Sequence, residues 1–546
     1  MRRSGARLRC AVLACALVVG GSGSCSSPSG RYLDSRDSPR GLVLVNLSGL
    51  RADHLGVLGR EPSPTPFLDT LAGNSLLYER ALSVSSGPLA SQVSLLSGLY
   101  PQEHGVVAAD RALNAEAVVL PERFAEFGYR TAAFTGGGYA VSEFGIDRGF
   151  DDFVSLGHAP GEGPNGVLGA GLDYLREIGS ERFFLYVAPS SLRGAEIFTT
   201  APEFERLTGG FEELTPELLA QVRRAYEDRV RAADDGLRAF VEGVASLGLL
   251  ERTVLVVTAD RGFELGEHGR LGHKQLYPES LRVPLLISLG ASGAALHGRF
   301  DDLVQTVDLA ATLYRLAGLP SPASSGRLLP GLPGAPVPRT WAAAERRGRW
   351  AQESLLLQTA EGWRQLVHSR LRGEYDGTWV TRGIDFDTEA SVLNFRIVSY
   401  LKPRTISVRV DGVDHGVILA GPKWTKARIE LPSPADPAAG PGKRRVELRA
   451  PDCASPADAG STVDRRCLSF KLAGLELTKT ELFDLGRDPG AHEDLSAEAP
   501  ELLGEIAGTL AGHRWLAVSP PERTRPGEAT LRQLAATSEL PEPPRP

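Results

Sequence analysis

Five short stretches of the chain, Gly41 to Leu47, Arg130 to Thr135, Phe183 to Val187, Thr253 to Thr258 and Pro284 to Leu289, are nearly continuous apolar runs. Runs of that length without polar alternation fit strands of a parallel sheet that helices cover on both faces. Between the third and fourth runs, Thr215 and Pro216 read as an N-cap and a first-turn proline. Leu219, Val222, Tyr226, Val230, Ala233, Leu237, Val241 and Val244 then recur at helical spacing, and Gly248 offers a stop. The alternation predicts an α/β domain over residues 41–345, with a doubly wound, mostly parallel sheet and a site at the carboxyl ends of its strands.

After about residue 345 the pattern changes. Strand-like runs at Val392 to Val398, Thr405 to Val410, Ala427 to Leu431 and Arg445 to Leu448 are broken by Pro, Gly and Asp clusters. They predict an inserted β-sandwich-like module over 377–478, or a set of hairpins attached to the main sheet. Residues 346–376 and 479–515 flank it as a small C-terminal α+β subdomain. The Pro-, Glu- and Arg-rich stretch 516–546 has little to bury and reads as a disordered tail.

The amino terminus carries Arg2, Arg3, Arg7 and Arg9 ahead of the apolar run Cys10 to Gly20. Residues 1–25 therefore read as an export signal, too short for a comfortable membrane span, and 26–40 as a tether. Cys25 ends a small-residue run in which Ser22 occupies the place where a lipoprotein box prefers an apolar residue, so lipidation of Cys25 and ordinary cleavage both stay open. Either outcome puts the protein outside the cytoplasm, with any membrane contact through a lipid anchor only. In that oxidising setting Cys453 and Cys467, which flank a polar loop, read as a disulfide or as two buried thiols. With 60 Lys and Arg against 67 Asp and Glu, the net charge of −7 argues against nucleic acid as a partner.

Several motifs then fall in a telling order: LVLVNLSGLRADHLG from Leu42, ASQVSLLSGLYPQEHGV from Ala90, GYRTAAFTGGG from Gly128, VVTADRGFELGEHGRLGHK from Val256 and LRVPLL from Leu281. With VQTVDLAATLYRLAGLP from Val304 and ELFDLGRDPGAHEDL from Glu481, the chain resembles the sulfatase family of the alkaline phosphatase superfamily. The resemblance implies that family's fold. It also implies a divalent cation, usually calcium, at the strand ends, and a Cys or Ser processed to formylglycine as nucleophile.

The motifs depart from that chemistry at their reactive positions. Ser48 and Gly49 stand where the first strand supplies metal ligands, and Arg261 stands beside the retained Asp260 where the family has Asn or His. Pro88 occupies the nucleophile position and Gln92 that of its arginine partner, with Ser91 kept between them. Ser85 and Ser86 lie just upstream, but Gly87-Pro88 predicts a loop there and not a helix starting at Ser86. Asp53 reads as structural, and Ala188, Ser191, Leu192 and Arg193 replace a pocket-lining His and Asp-Pro-His run. Glu264, Glu267, His268, His273 and Lys274 survive; His273 and Lys274 resemble the residues that hold ester oxygens and protonate the leaving group, or else support their loop.

Two readings follow. In one, a degenerate member has lost sulfuric ester hydrolysis, needs no cofactor, keeps Asp260 as a residual ligand position, and binds a sulfated or phosphorylated ligand or glycan through Arg261, His268, Ser91 and Gln92, with His273, Lys274 and Arg193 nearby. In the other, an active hydrolase of sulfate or phosphate esters uses calcium in a rearranged site built on Asp53, Asp260, His268 and His273. Separately, Trp379, Tyr400 and Trp424 in the insert could stack on sugars or pack its core.

Overall fold

A computed structural model describes most of residues 39–495, together with Glu522 and Arg523. The expected export signal, the tether up to residue 38, Cys25, Ser191, Arg193, Lys274, Trp379, Cys467 and most of the tail lie outside the described residues.

Nine strands form the main sheet: β1 (Gly41–Asn46), β2 (Leu76–Leu82), β3 (Arg130–Thr135), β4 (Asp152–Ser155), β5 (Phe183–Ala188), β6 (Thr253–Thr258), β7 (Arg282–Val283), β8 (Leu285–Ser288) and β9 (Gly298–Gln305). β1 lies at the centre, parallel to β5 on one side and β6 on the other, so that Leu44 faces both Tyr186 and Val256. All six residues of β1, β5 and β6 are buried, which is why they carry no polar alternation.

One expectation is corrected here. The run at Pro284 to Leu289 is antiparallel: β7 and β8 pair antiparallel to β2, and β8 also to β6. No long crossover helix separates it from β6, and an apolar strand buried on both faces reads the same in either direction. β2 and β9 join the sheet with charged residues in their sequences (LLYERAL and GRFDDLVQ), which masks them in a search for apolar runs.

Among the described residues, six longer helices cover the sheet: α1 (Pro66–Ala72), α2 (Pro88–Ser97), α3 (Leu120–Glu126), α4 (Gly163–Ile178), α5 (Pro216–Ser246) and α6 (Asp308–Ala317). α5 begins as its sequence predicts, with the Thr215 hydroxyl accepting from the Leu218 N–H at 3.3 Å. Its buried stripe includes Val222, Tyr226, Val230, Ala233, Leu237, Val241 and Val244, but also Asp234. That carboxylate accepts 2.9 Å hydrogen bonds from the backbone N–H groups of Phe67 and Leu68, capping α1 from another helix.

The carboxyl-terminal part is built from β10 (Trp341–Arg346), β11 (Trp350–Thr359), β12 (Gly362–Leu371), β13 (Gly383–Thr388), β14 (Val392–Ser399), β15 (Arg404–Val410), β16 (Val413–Ala420), β17 (Thr425–Glu430), β18 (Arg444–Arg449), β19 (Phe470–Ala473) and β20 (Leu477–Asp484). An eight-stranded sheet runs β10-β11-β12-β20-β13-β18-β15-β16, and a three-stranded sheet runs β17-β14-β19. The second packs on one end of the first through Phe386, Leu393, Ile397, Val408, Leu448 and Phe470. The larger sheet crosses both ends of the insert, joining it to the flanking strands at the pair Asp387 and Thr478.

Polar contacts seat this part on the main sheet. Gln305 at the end of β9 accepts from the Tyr100 hydroxyl at 2.7 Å and donates to the Ala343 carbonyl at 2.8 Å. Arg339 reaches Asp308 at 2.5 Å with both groups buried.

Asp234→Ala should destabilise the fold by about 1–3 kcal/mol, because two backbone donors lose their acceptor in a buried setting. Asp234→Asn, which keeps one acceptor, should cost less; chemical denaturation midpoints of the three proteins check the order.

Candidate functional site

At the carboxyl ends of β1 and β6 the chain turns through Leu47-Ser48-Gly49 and Ala259-Asp260-Arg261. Backbone bonds fix these turns together: Leu47 N–H donates to the Thr258 carbonyl at 2.8 Å and Gly49 N–H to the Arg261 carbonyl at 3.0 Å. Gly49 has φ +89°, a left-handed conformation that side chains disfavour. Gly262 is constrained by space, since a Cβ there would lie 2.0 Å from the Glu279 carbonyl oxygen.

Asp260 is held through its N–H, its carbonyl and one carboxylate oxygen. Its N–H donates to Asn46 Oδ1 at 2.9 Å, and Asn46 Nδ2 donates to the Tyr186 hydroxyl at 3.0 Å. The Ser83 hydroxyl donates to its carbonyl. Its side chain is fully buried, and Oδ2 receives both the Ser91 hydroxyl at 2.8 Å and Arg261 Nη1 at 2.6 Å. The same Nη1 donates to the Ser48 hydroxyl at 2.9 Å. Arg261, only 1% exposed, thus places its guanidinium between the two positions that the sequence assigns to lost and residual metal ligands.

The site does not fit calcium. That ion takes about six to eight oxygen ligands, largely carboxylate and carbonyl. Here one carboxylate is already neutralised by a guanidinium, a group that cannot coordinate a cation. Among the described residues no three His, Cys, Asp or Glu side chains gather as a metal site. Asp260 Oδ1 and Arg261 Nε take no hydrogen-bond partner among the described residues.

α2 carries Pro88, which the sequence motifs align with the nucleophile position, at its first turn. Pro88 is the first helical residue and Gly87 the cap, so no helix starts at Ser86, as the sequence predicts, though the helix does begin at Pro88 itself; proline fits there because the first helical N–H needs no partner. Every residue of α2 is buried. Ser86 Oγ and Gln92 Oε1 are also buried and take no partner among the described residues. Behind the helix, burial pushes His104 down to about 3, keeping its imidazole neutral. Its Nδ1 accepts from the Val106 N–H and its Nε2 lies 3.0 Å from the Ser94 hydroxyl.

The other predicted residues divide into separate clusters. Arg51, which sequence reasoning passed over, binds Asp53 through two nitrogens at 2.9 and 2.6 Å and Glu267 at 2.6 Å. Burial would raise the Asp53 carboxyl, but hydrogen bonds from His54 and Arg51 outweigh it and hold Asp53 well below the usual carboxylate range. Asp53 is therefore committed to this cluster. The Tyr226 hydroxyl joins the cluster to the strand end, donating to the Gly49 carbonyl and accepting from the Arg51 N–H. His268 stands 3.2 Å from Glu279 and stacks on Tyr277 at 3.8 Å between ring centres. Burial opposes its charge, yet the Glu279 hydrogen bond and nearby carboxylates raise its pKa overall. His273 is buried at the end of the two-residue strand Leu271–Gly272.

The sulfatase family profile matches residues 40–319. An N-acetylglucosamine-6-O-sulfatase of Bacteroides thetaiotaomicron is 32% identical over 108 residues, 19% of this chain and 18% of that protein. An arylsulfatase of Clostridium perfringens is 24% identical over 367 residues, covering 52% of this chain and 76% of the relative. A protein solved in complex with its substrate D-glucosamine-2-N,6-O-disulfate shares the fold at TM-score 0.53 and 15% identity, over 93% of this chain and all of the other. The chain spans about a fifth of the length of the first of these relatives.

Two outcomes test the geometry. Arg261→Met should destabilise by about 3–5 kcal/mol by stranding a buried carboxylate, and pairing it with Asp260→Asn should recover much of that loss; denaturation midpoints decide. The His268 imidazole should titrate above its ordinary value and fall toward it in Glu279→Gln, read by NMR. With the folded value raised, its stabilising contribution is full below the unfolded value and is lost as pH rises through the folded one.

Proposed function

We propose, for a chain that belongs to the sulfatase family, that it no longer hydrolyses sulfate esters and serves as an anion-binding or structural component of the cell envelope. The observation that carries this reading is the Arg261 guanidinium bonded to both Asp260 and Ser48, so that an internal cation fills the space between the remaining metal-ligand positions. The chemistry of the nucleophile position agrees. Proline at 88 has neither hydroxyl nor thiol, and Gln92 cannot supply the charge of an arginine.

A hydrolase needs nucleophile, cation and oxyanion contacts at once, and losing one removes most of the benefit of the rest. The rearranged hydrolase built on Asp53, Asp260, His268 and His273 is less well supported, because Asp53 is bound to Arg51 and His268 to Glu279. The anionic ligand is proposed by analogy with the relatives: a structural neighbour was captured with a disulfated glucosamine. Export, the lipid anchor on Cys25 and pairing of Cys453 with Cys467 complete the proposal. Cys453 is disulfide-bonded, which supports an oxidising compartment.

Purified wild type should show no turnover of aryl sulfate or aryl phosphate above a buffer blank. Turnover that Asp260→Ala abolishes would establish the hydrolase instead. The quadruple change Ser48→Asp, Pro88→Cys, Gln92→Arg and Arg261→Asn, made with a formylglycine-generating enzyme, should acquire bound calcium by elemental analysis, whereas each single change should not.

A further inference from the structure

We propose that the outer face of the three-stranded sheet β17-β14-β19 binds an anionic polysaccharide, at a surface separate from the strand-end site. Leu393, Phe395 and Ile397 of β14, Ile429 of β17, and Phe470 and Leu472 of β19 point into the core shared with the larger sheet. Because side chains alternate along a strand, the intervening residues form the opposite face. They include Asn394 and Arg396 of β14, Lys426 and Arg428 of β17, and Lys471 of β19.

Register brings these cations together. Arg396 lies directly opposite Lys426, Asn394 opposite Arg428, and Val398 opposite Lys471. Neighbouring strands are about 4.8 Å apart, so directly opposed like charges repel and are destabilising. Glu430 answers part of this charge through its 2.8 Å bond to Arg428. Arg396, Lys426 and Arg428 are all exposed, on a protein whose net charge is −7. A local positive field on an acidic protein selects a polyanion.

The kind of polyanion is set by Trp424. Its side chain, 40% exposed, stands at the edge of this face with the Arg396 guanidinium 5.3 Å from its ring centre. A tryptophan face beside a row of cations suits a sugar ring that presents apolar C–H groups to the indole and acidic substituents to the arginine and lysines. Sulfate or carboxylate groups repeated along a chain would engage Arg396, Lys426 and Arg428 in succession. The proposal rests on the surface alone and holds whether or not the buried site turns over esters.

Binding of dextran sulfate, uncharged dextran and phosphatidylglycerol vesicles to the full chain tests it, by calorimetry at low and high salt. Dextran sulfate should bind, with affinity falling as salt rises. Uncharged dextran and the vesicles should not bind measurably. Lys426→Ala with Arg428→Ala, and separately Trp424→Ala, should each weaken dextran sulfate binding by about tenfold while leaving the unfolding midpoint in place. Lys426→Arg, which changes the side chain but keeps its charge, should retain binding. Equal binding by wild type and both alanine variants overturns the proposal, as does vesicle binding that the same variants abolish.

Discussion

The strand-end region depends on a single buried charge pair. Asp260 and Arg261 are both almost without solvent exposure, and removing two such ions from water costs several kcal/mol each unless they meet in close geometry. Their 2.6 Å contact meets that condition, and the surrounding framework exists to hold it. Asn46 fixes the aspartate backbone, Ser91 brings in the first turn of α2, and Ser48 ties the guanidinium to β1. Three segments distant in sequence are thereby locked at one point.

A second arginine organises the layer outside it. Arg51 draws Asp53 and Glu267 together, and Tyr226 passes the connection from α5 to the backbone at Gly49 and Arg51. The pattern is one of charges consumed internally. Asp260 is paired with Arg261, Asp53 and Glu267 with Arg51, and Glu279 with His268, all within the same chain.

Much of the architecture was legible because burial on both faces leaves a plain mark: β1, β5 and β6 are apolar without interruption, and α5 shows its stripe and its Thr215 cap. β2 and β9 were not, because charged residues such as Glu79, Asp301 and Asp302 break the apolar run. Strand direction at Leu285–Ser288 was hidden for a different reason, since composition reports burial and not polarity. In the site, the ordered motifs single out Ser48, Asp260 and Arg261, which the structure brings together. The supporting roles of Asn46, Tyr186, Tyr226 and Arg51 could not be read from them, because they arise only when strand ends and α5 come together in space. Register alone could have suggested Asn46, the last residue of β1, whose neighbour across the sheet is Thr258.

The guanidinium between Asp260 and Ser48 also changes what kind of variable the site's positive charge is. A calcium ion is a free ligand whose occupancy follows its concentration in the surrounding fluid, so a site built around it is only as complete as the medium permits. A cation attached through the backbone has no dissociation equilibrium and always carries its charge. The Asp260 carboxylate therefore meets its positive charge from within its own chain, and that contact does not vary with the ionic composition of the medium.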